Sequence, residues 1–374
     1  MASKILQTAV SVIMPIYGQA TFIRLISFMR VTPLLVALLL FKNILMAQSV
    51  TPDGHGLKEF SIKDKKLGLI QFYVDTVNIR RKAPLFIEVN GSGGLPLCLY
   101  VQGKKFVTTP TTFNEELYGK TKEKYHYIIL GKPGTSFCDT LALDLTVAEY
   151  QKNPSQVLFA HRPSKEYTKR LSLQWRVQAT QAVMSYLINH GFWDRTKIIA
   201  YGYSEGGQVV ASLAVEDKRV THIASVVGSG LNQLYDGIMS WRIKAAKGEL
   251  THQQAQDSVE AAFKRIADIY KNPTATDREV GGHSYLRWAS FGTLIPFEQL
   301  RKLSIPIYMI AASRDDSSPI YGLDYVRLEF LRLGKTNLVY DTCVGCNHYL
   351  GSPEGSKPEG PGYIDKILTW VQTK

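Results

Sequence analysis

Gly202-Tyr203-Ser204-Glu205-Gly206, followed by Gly207, is the stretch whose residue types and spacing point most directly to chemistry. An apolar run, Lys197-Ile198-Ile199-Ala200-Tyr201, precedes it, and residues 205–216 after it have helical character. A serine at a sharp strand-to-helix turn adopts a strained backbone, and glycines two before and two after leave room for that turn. Its hydroxyl then projects at a helix N-terminus, where the dipole favours developing negative charge. Such a serine becomes a nucleophile once a base takes its proton and a third group orients the base. Other constellations carry less. Asn90-Gly91-Ser92-Gly93-Gly94 is glycine-rich but lacks the Lys-Ser/Thr of a P-loop and the downstream acid of a dinucleotide site. Asn90-Gly91-Ser92 also spells a glycosylation sequon, at a strand end where burial would hide it. Cys343-Val344-Gly345-Cys346 has the spacing of half a zinc site, but Cys98 and Cys138 supply no second close pair, so no metal is expected.

The elements that must position these residues alternate. Strands are expected at 67–79, 84–89, 125–130, 197–202, 222–228, 305–311 and 336–342, which are rich in apolar, β-branched and aromatic residues. Helices are expected at 167–189, 205–216, 320–333 and 363–373. In the first of these Leu173, Val177, Met184 and Leu187 share a face, and Gly191 ends the run. Apolar strands alternating with helices indicate a mostly parallel sheet flanked by helices on both faces, an α/β architecture. One segment, about 231–303, breaks the rhythm. Thr251 and Gln254 form a capping box there, and Ala255, Val259, Ala262, Ile266 and Ile269 recur at helical spacing. It reads as a helical insertion, a cap over the edge where ligands bind.

With its strand before and helix after, the G-x-S-x-G string resembles the α/β-hydrolase superfamily. The resemblance implies an acid after a later strand and a histidine after the last. Ile305–Ala311 runs into Ala312-Ser313-Arg314-Asp315-Asp316-Ser317-Ser318-Pro319. Superfamily members often carry a proline four residues after the acid, which favours Asp315 over Asp316. His348 falls after the last strand, and His283, late in the insertion, is the alternative base. His55, His126, His161, His190, His222 and His252 fit structural or surface roles. The oxyanion hole is implied at Asn90-Gly91-Ser92-Gly93, through the main-chain amides of Ser92 and Glu205, with Gly93 as the alternative to Ser92. The Glu205 side chain reads as an acid in the first turn of a helix. Tyr285 and Trp288 are candidates for lining an acyl pocket. The fold would bring the loops of Cys98 and Cys138 together, which implies a disulfide, while Cys343 and Cys346 would tighten the loop of His348. The expected activity is hydrolysis of carboxylic esters or thioesters by Ser204, His348 and Asp315 through an acyl-enzyme. The Gly-x-Ser-x-Gly-Gly string also resembles the catalytic domain of prolyl-oligopeptidase-like enzymes, so a peptidase acting on short peptides is the alternative. The large β-propeller usual in those enzymes would have no room before the first strand.

The 374 residues are 45% hydrophobic and 20% charged, which excludes wholesale disorder. A net charge of +12 raises a nucleic-acid partner. However, Lys4, Arg24, Arg30 and Lys42 lie within residues 1–47, which hold no acid. Leu34 to Phe41 is an unbroken apolar run, too short for a bilayer core of about 30 Å, and Ala47 supplies a small residue after it. This reads as a secretory signal peptide, with Met29 as the natural start. A secreted or periplasmic enzyme spanning residues 48–374 is expected, with no membrane span, no nucleic-acid partner, no cofactor and a small acyl compound as substrate.

Overall fold

In the computed structural model of the chain, the described residues are 50–77, 79–102, 106–108, 113–144, 146–152, 161–351 and 362–374. The expected signal peptide lies outside them. Among them, eight strands form one sheet: β1 Leu57–Asp64, β2 Gly68–Asp75, β3 Ala83–Val89, β4 His126–Leu130, β5 Trp193–Tyr203, β6 His222–Val226, β7 Ile307–Ala312 and β8 Leu338–Cys343. Their order is β1-β2-β4-β3-β5-β6-β7-β8. Only β2 runs against its neighbours; the pairs from β4 to β8 are all parallel. The helices that bear on the site are α1 Leu173–Asn189, α2 Glu205–Glu216, α3 Gln233–Ala246, α4 His252–Lys271, α5 Tyr285–Thr293, α6 Ile320–Arg332 and α7 Tyr363–Thr373.

Side chains alternate across a strand, so a sheet buried on both faces needs apolar residues at every position. Leu85, Ile87, Ile198, Ala200, Ile307 and Met309 face one core, closed by α1, α2 and α6. Phe86, Ile199, Tyr201, Tyr308 and Ile310 face the other, closed by α7. This two-sided burial is why the central strands read as continuous apolar runs. β1 escapes that reading because it is an edge strand with one apolar face and exposed charges on the other.

The expected helix 167–189 is two helices, Lys165–Arg170 and α1. Leu171 is extended, and the Ser172 hydroxyl accepts from the Trp175 amide at 3.0 Å. A serine cap satisfies an otherwise orphaned amide and starts a new helix. The apolar spacing hides the break because Tyr167, Leu171 and Leu173 are all buried.

Between β6 and β7 stand α3, α4, a short hairpin of Glu279–Val280 with His283–Ser284, α5 and a helix at Pro296–Leu300. The Thr251–Gln254 capping box opens α4. Residues Pro52–Lys374 form one compact unit, the insertion included. No helix among the described residues is long and apolar enough to cross a membrane.

Candidate active site

Ser204 sits between β5 and α2 with φ 53° and ψ −119°, a strained backbone for a residue with a side chain. Its amide donates to the Val226 carbonyl of β6 at 2.8 Å. Two glycines permit the turn by close approach. A methyl group at Gly202 would lie 2.3 Å from the Gly206 carbonyl oxygen, and one at Gly206 only 1.9 Å from that of Val89. The elbow thus presses against the end of β3.

His348 lies in the loop after β8. Its Nε2 is 3.0 Å from Ser204 Oγ, and its Nδ1 is 2.7 Å from Asp315 Oδ2. Asp315, in the loop after β7, is buried, and its Oδ1 accepts from the amides of Ser317 and Ser318 at 2.8 and 2.9 Å. Those bonds hold the carboxylate so that Oδ2 faces the imidazole. Asp316 points elsewhere, to the exposed Lys247 at 2.7 Å. The two loops are joined to each other. Ser313 and Arg314 donate their amides to the Cys343 and Cys346 carbonyls, and the Gly345 amide donates to Ser313 Oγ at 2.7 Å. A Cys343–Cys346 disulfide closes this turn. From behind, the Tyr203 hydroxyl donates to the His348 carbonyl at 2.6 Å.

The loop after β3 packs on the elbow: a methyl at Gly91 would lie 3.3 Å from Ser204 Cβ. Among the described residues the amides of Ser92, Gly93 and Glu205 donate no hydrogen bond to another backbone carbonyl. The Glu205 side chain is not a surface acid of a first turn. It is buried and pairs with Arg176 at 2.6 Å and with Arg287, whose Nε lies 3.0 Å from Oε2. Burial opposes its ionisation, but Arg287, Arg176 and Lys132 outweigh it and hold the carboxyl down at about 2. Burial, aided by Arg176 and Arg287, drives the Lys132 amine well below the ordinary lysine range.

No protein-family model and no curated protein matches the chain. Solved structures do. A puromycin-hydrolysing peptidase of Mycobacterium tuberculosis is 13% identical over 78% of this chain and 36% of its own, with a TM-score of 0.46. A Bacteroides ovatus protein assigned as a dipeptidyl aminopeptidase IV is 10% identical over 85% of this chain and 36% of its own, with a TM-score of 0.52. An esterase of Rhodococcus is 14% identical over 85% of this chain and 99% of its own, with a TM-score of 0.47. The chain therefore spans about a third of the length of the first two. The sheet order and the Bacteroides overlay decide the fold. This chain has the α/β-hydrolase fold.

Within this α/β-hydrolase fold, Ser204, Asp315 and His348 follow β5, β7 and β8 and meet at the carboxyl edge of the sheet. His283 does not join them: its Nδ1 lies 3.0 Å from the Tyr167 hydroxyl, and burial, with Arg287 beside it, lowers its pKa to about 3. Tyr285 and Trp288 make their polar contacts inside the insertion, to Asp268 at 2.9 Å and to the Val280 carbonyl at 2.9 Å. The Trp288 ring also supports the Arg287 guanidinium at 4.2 Å. Cys98 and Cys138 are register partners in a small parallel pair, Cys98–Val101 with Cys138–Leu141, but the disulfide expected between them is not formed. Arg176, Lys132 and Arg287 are absent from the sequence-derived site. The available signal was a lone arginine amid the apolar stripe of α1, together with a glutamate directly after the candidate nucleophile.

Proposed function

We propose that this chain is a serine hydrolase that cleaves carboxylic ester or thioester bonds through an acyl-enzyme. The observation that carries this reading is the unbroken chain from Asp315 Oδ2 to His348 Nδ1 at 2.7 Å and from His348 Nε2 to Ser204 Oγ at 3.0 Å. An ionised carboxylate only accepts, so it selects the tautomer with hydrogen on Nδ1 and leaves Nε2 free to take the serine proton. Ser204 Oγ then attacks the acyl carbon as its proton passes to Nε2. The amides of Ser92 and Glu205, with the N-terminus of α2, stabilise the oxyanion. Nε2 returns the proton to the leaving alcohol or thiol. Water repeats the sequence, giving its proton to Nε2, and the acid departs as Oγ is reprotonated.

The helical insertion, read as a cap over this site, favours esters over peptides, because a cap restricts access by a long chain. Export is part of the same reading, supported by the basic, apolar and small-residue order of residues 1–47. A disulfide beside the site suits an oxidising compartment. A fluorophosphonate should label the wild-type chain on Ser204 and leave Ser204→Ala unlabelled. A panel of acyl nitrophenyl esters set beside aminoacyl-prolyl amides tests the bond cleaved, and turnover confined to the amides would overturn the ester reading. The N-terminal sequence of protein recovered outside the cytoplasm tests export: a chain beginning at Met1 or Met29 would count against it.

A further inference from the structure

The loop after β3 is gripped from within by two basic side chains that no step above uses. Arg176 Nη2 donates to the Asn90 carbonyl and to Asn90 Oδ1, both at 2.8 Å, and Nη1 reaches the Gly91 carbonyl at 3.4 Å. Lys132 Nζ donates to the carbonyls of Gly91 and Gly93, each at 2.5 Å. Both side chains are buried. The same Arg176 guanidinium holds Glu205 Oε1 at 2.6 Å, so one rigid group bridges the loop after β3 and the residue that follows Ser204.

A trans peptide points its C=O and N–H to opposite sides. Holding the Gly91 carbonyl inward therefore turns the Ser92 amide away from these two donors. Gly91 itself packs on Ser204, so a free amide at Ser92 stands on the elbow side of the loop. We propose that Lys132 and Arg176 are positioning residues, a buried clamp that fixes the peptide orientation of residues 90–93 so that the Ser92 amide meets the developing oxyanion. The inference rests on the serine hydrolase reading. Charge acts in the same direction. Two guanidiniums, Arg176 and Arg287, face one carboxylate, so the cluster is positive whatever the state of Lys132. Arg287 Nη1 is buried with no partner among the described residues. An excess positive charge in a dry interior favours an anion forming beside it.

The test uses the full mature chain and a nitrophenyl ester. In Lys132→Met and in Arg176→Met, kcat should fall roughly 10–100-fold while KM stays within about threefold. Inhibition by an arylboronic acid, which mimics the tetrahedral intermediate, should weaken by the same factor as kcat. Lys132→Arg, which keeps a donor on a similar stem, should recover part of kcat. If a methionine variant does not fold, Arg176→Lys is read in the same way, because it keeps the charge and loses the fork. A folded Lys132→Met or Arg176→Lys with kcat within twofold of wild type overturns the clamp, and so does a loss confined to KM or to thermal stability. A wild-type chain that neither turns over esters nor takes fluorophosphonate overturns the hydrolase reading, and the clamp with it.

Discussion

Arg287 reaches from the helical insertion to the carboxylate of Glu205, the residue next to Ser204, with Nε 3.0 Å from Oε2. Both side chains are buried, and Arg176 completes the group from α1. A buried pair contributes little when compared with apolar substitutes, but removing one member strands the other charge. Three separate parts of the chain therefore depend on one carboxylate.

Glu205 gives the fold an acid limit. Its carboxyl ionises at about 2 in the folded chain against an ordinary value of 4.5. A depressed folded pKa means stability that is present above the ordinary value and lost as pH falls toward the folded one. About 3 kcal/mol should disappear between roughly pH 4.5 and pH 2. Urea midpoints measured from pH 6 downward should show this loss in the wild type. Glu205→Gln should be less stable at pH 7, by about 3–5 kcal/mol, and lack that part of the acid dependence.

Asp236, in α3, works in the opposite direction. Burial raises its carboxyl to about 7, with the nearby Ser229 opposing and Asp315 adding to the rise. A raised folded pKa means stability that is full below the ordinary carboxylate range and lost as pH climbs through about 7. Asp236→Asn should therefore stabilise the chain at pH 8, by on the order of 2–4 kcal/mol, and by much less at pH 4. Equal denaturation midpoints for variant and wild type at pH 8 would count against it.

The neighbouring carboxylates Asp315 and Asp316 should separate by activity. Asp315→Asn removes the acceptor that sets the His348 tautomer, and kcat should fall by about 10⁴. Asp316→Asn loses only an exposed pair with Lys247, and such pairs contribute about 0–1 kcal/mol. Its kcat should match the wild type in the same ester assay.

Reduction should lower the proposed ester turnover more than it unfolds the chain. The Cys343–Cys346 bond closes so short a loop that its entropic contribution is only about 2 kcal/mol. Yet the turn it closes carries the contacts to Ser313 and Arg314 and leads directly into His348. With a phosphine reductant, kcat should drop by roughly 5–50-fold through misplacement of the base, with a small fall in melting temperature. Cys346→Ser should reproduce the effect without reductant.

Two glycines should respond oppositely to alanine. Gly206→Ala drives a methyl group into the Val89 carbonyl at 1.9 Å, a backbone atom that cannot yield. The variant should lose at least about 3 kcal/mol or fail to fold. Gly237, exposed within α3, has open space at the same position. Gly237→Ala should gain about 0.5–1 kcal/mol, and paired thermal melts decide both cases.

Much of this was legible in the sequence because local rules govern it. Strands buried on both faces announce themselves as apolar runs, and the elbow glycines answer a local backbone demand at Ser204. The order of Ser204, Asp315 and His348 follows the order of the strands that carry them. Local rules also explain the misses. The break at Leu171 is concealed by burial on both sides of it, and β1 is an edge strand with charges outward. Cys98 and Cys138 stand side by side without a disulfide, which strand neighbourhood alone does not decide.

The sequence by itself determined an alternating α/β chain with a serine at a strand-to-helix turn and an acid and a histidine after later strands. Only the tertiary structure brings Asp315 rather than Asp316, and His348 rather than His283, into hydrogen-bonding reach of one another and of Ser204. It also gathered Arg176, Lys132 and Arg287 around Glu205. The physical reason is range. Backbone strain and strand burial act between neighbours in the chain, whereas a hydrogen bond or a buried ion pair is set by where the folded backbone carries residues that are distant in sequence.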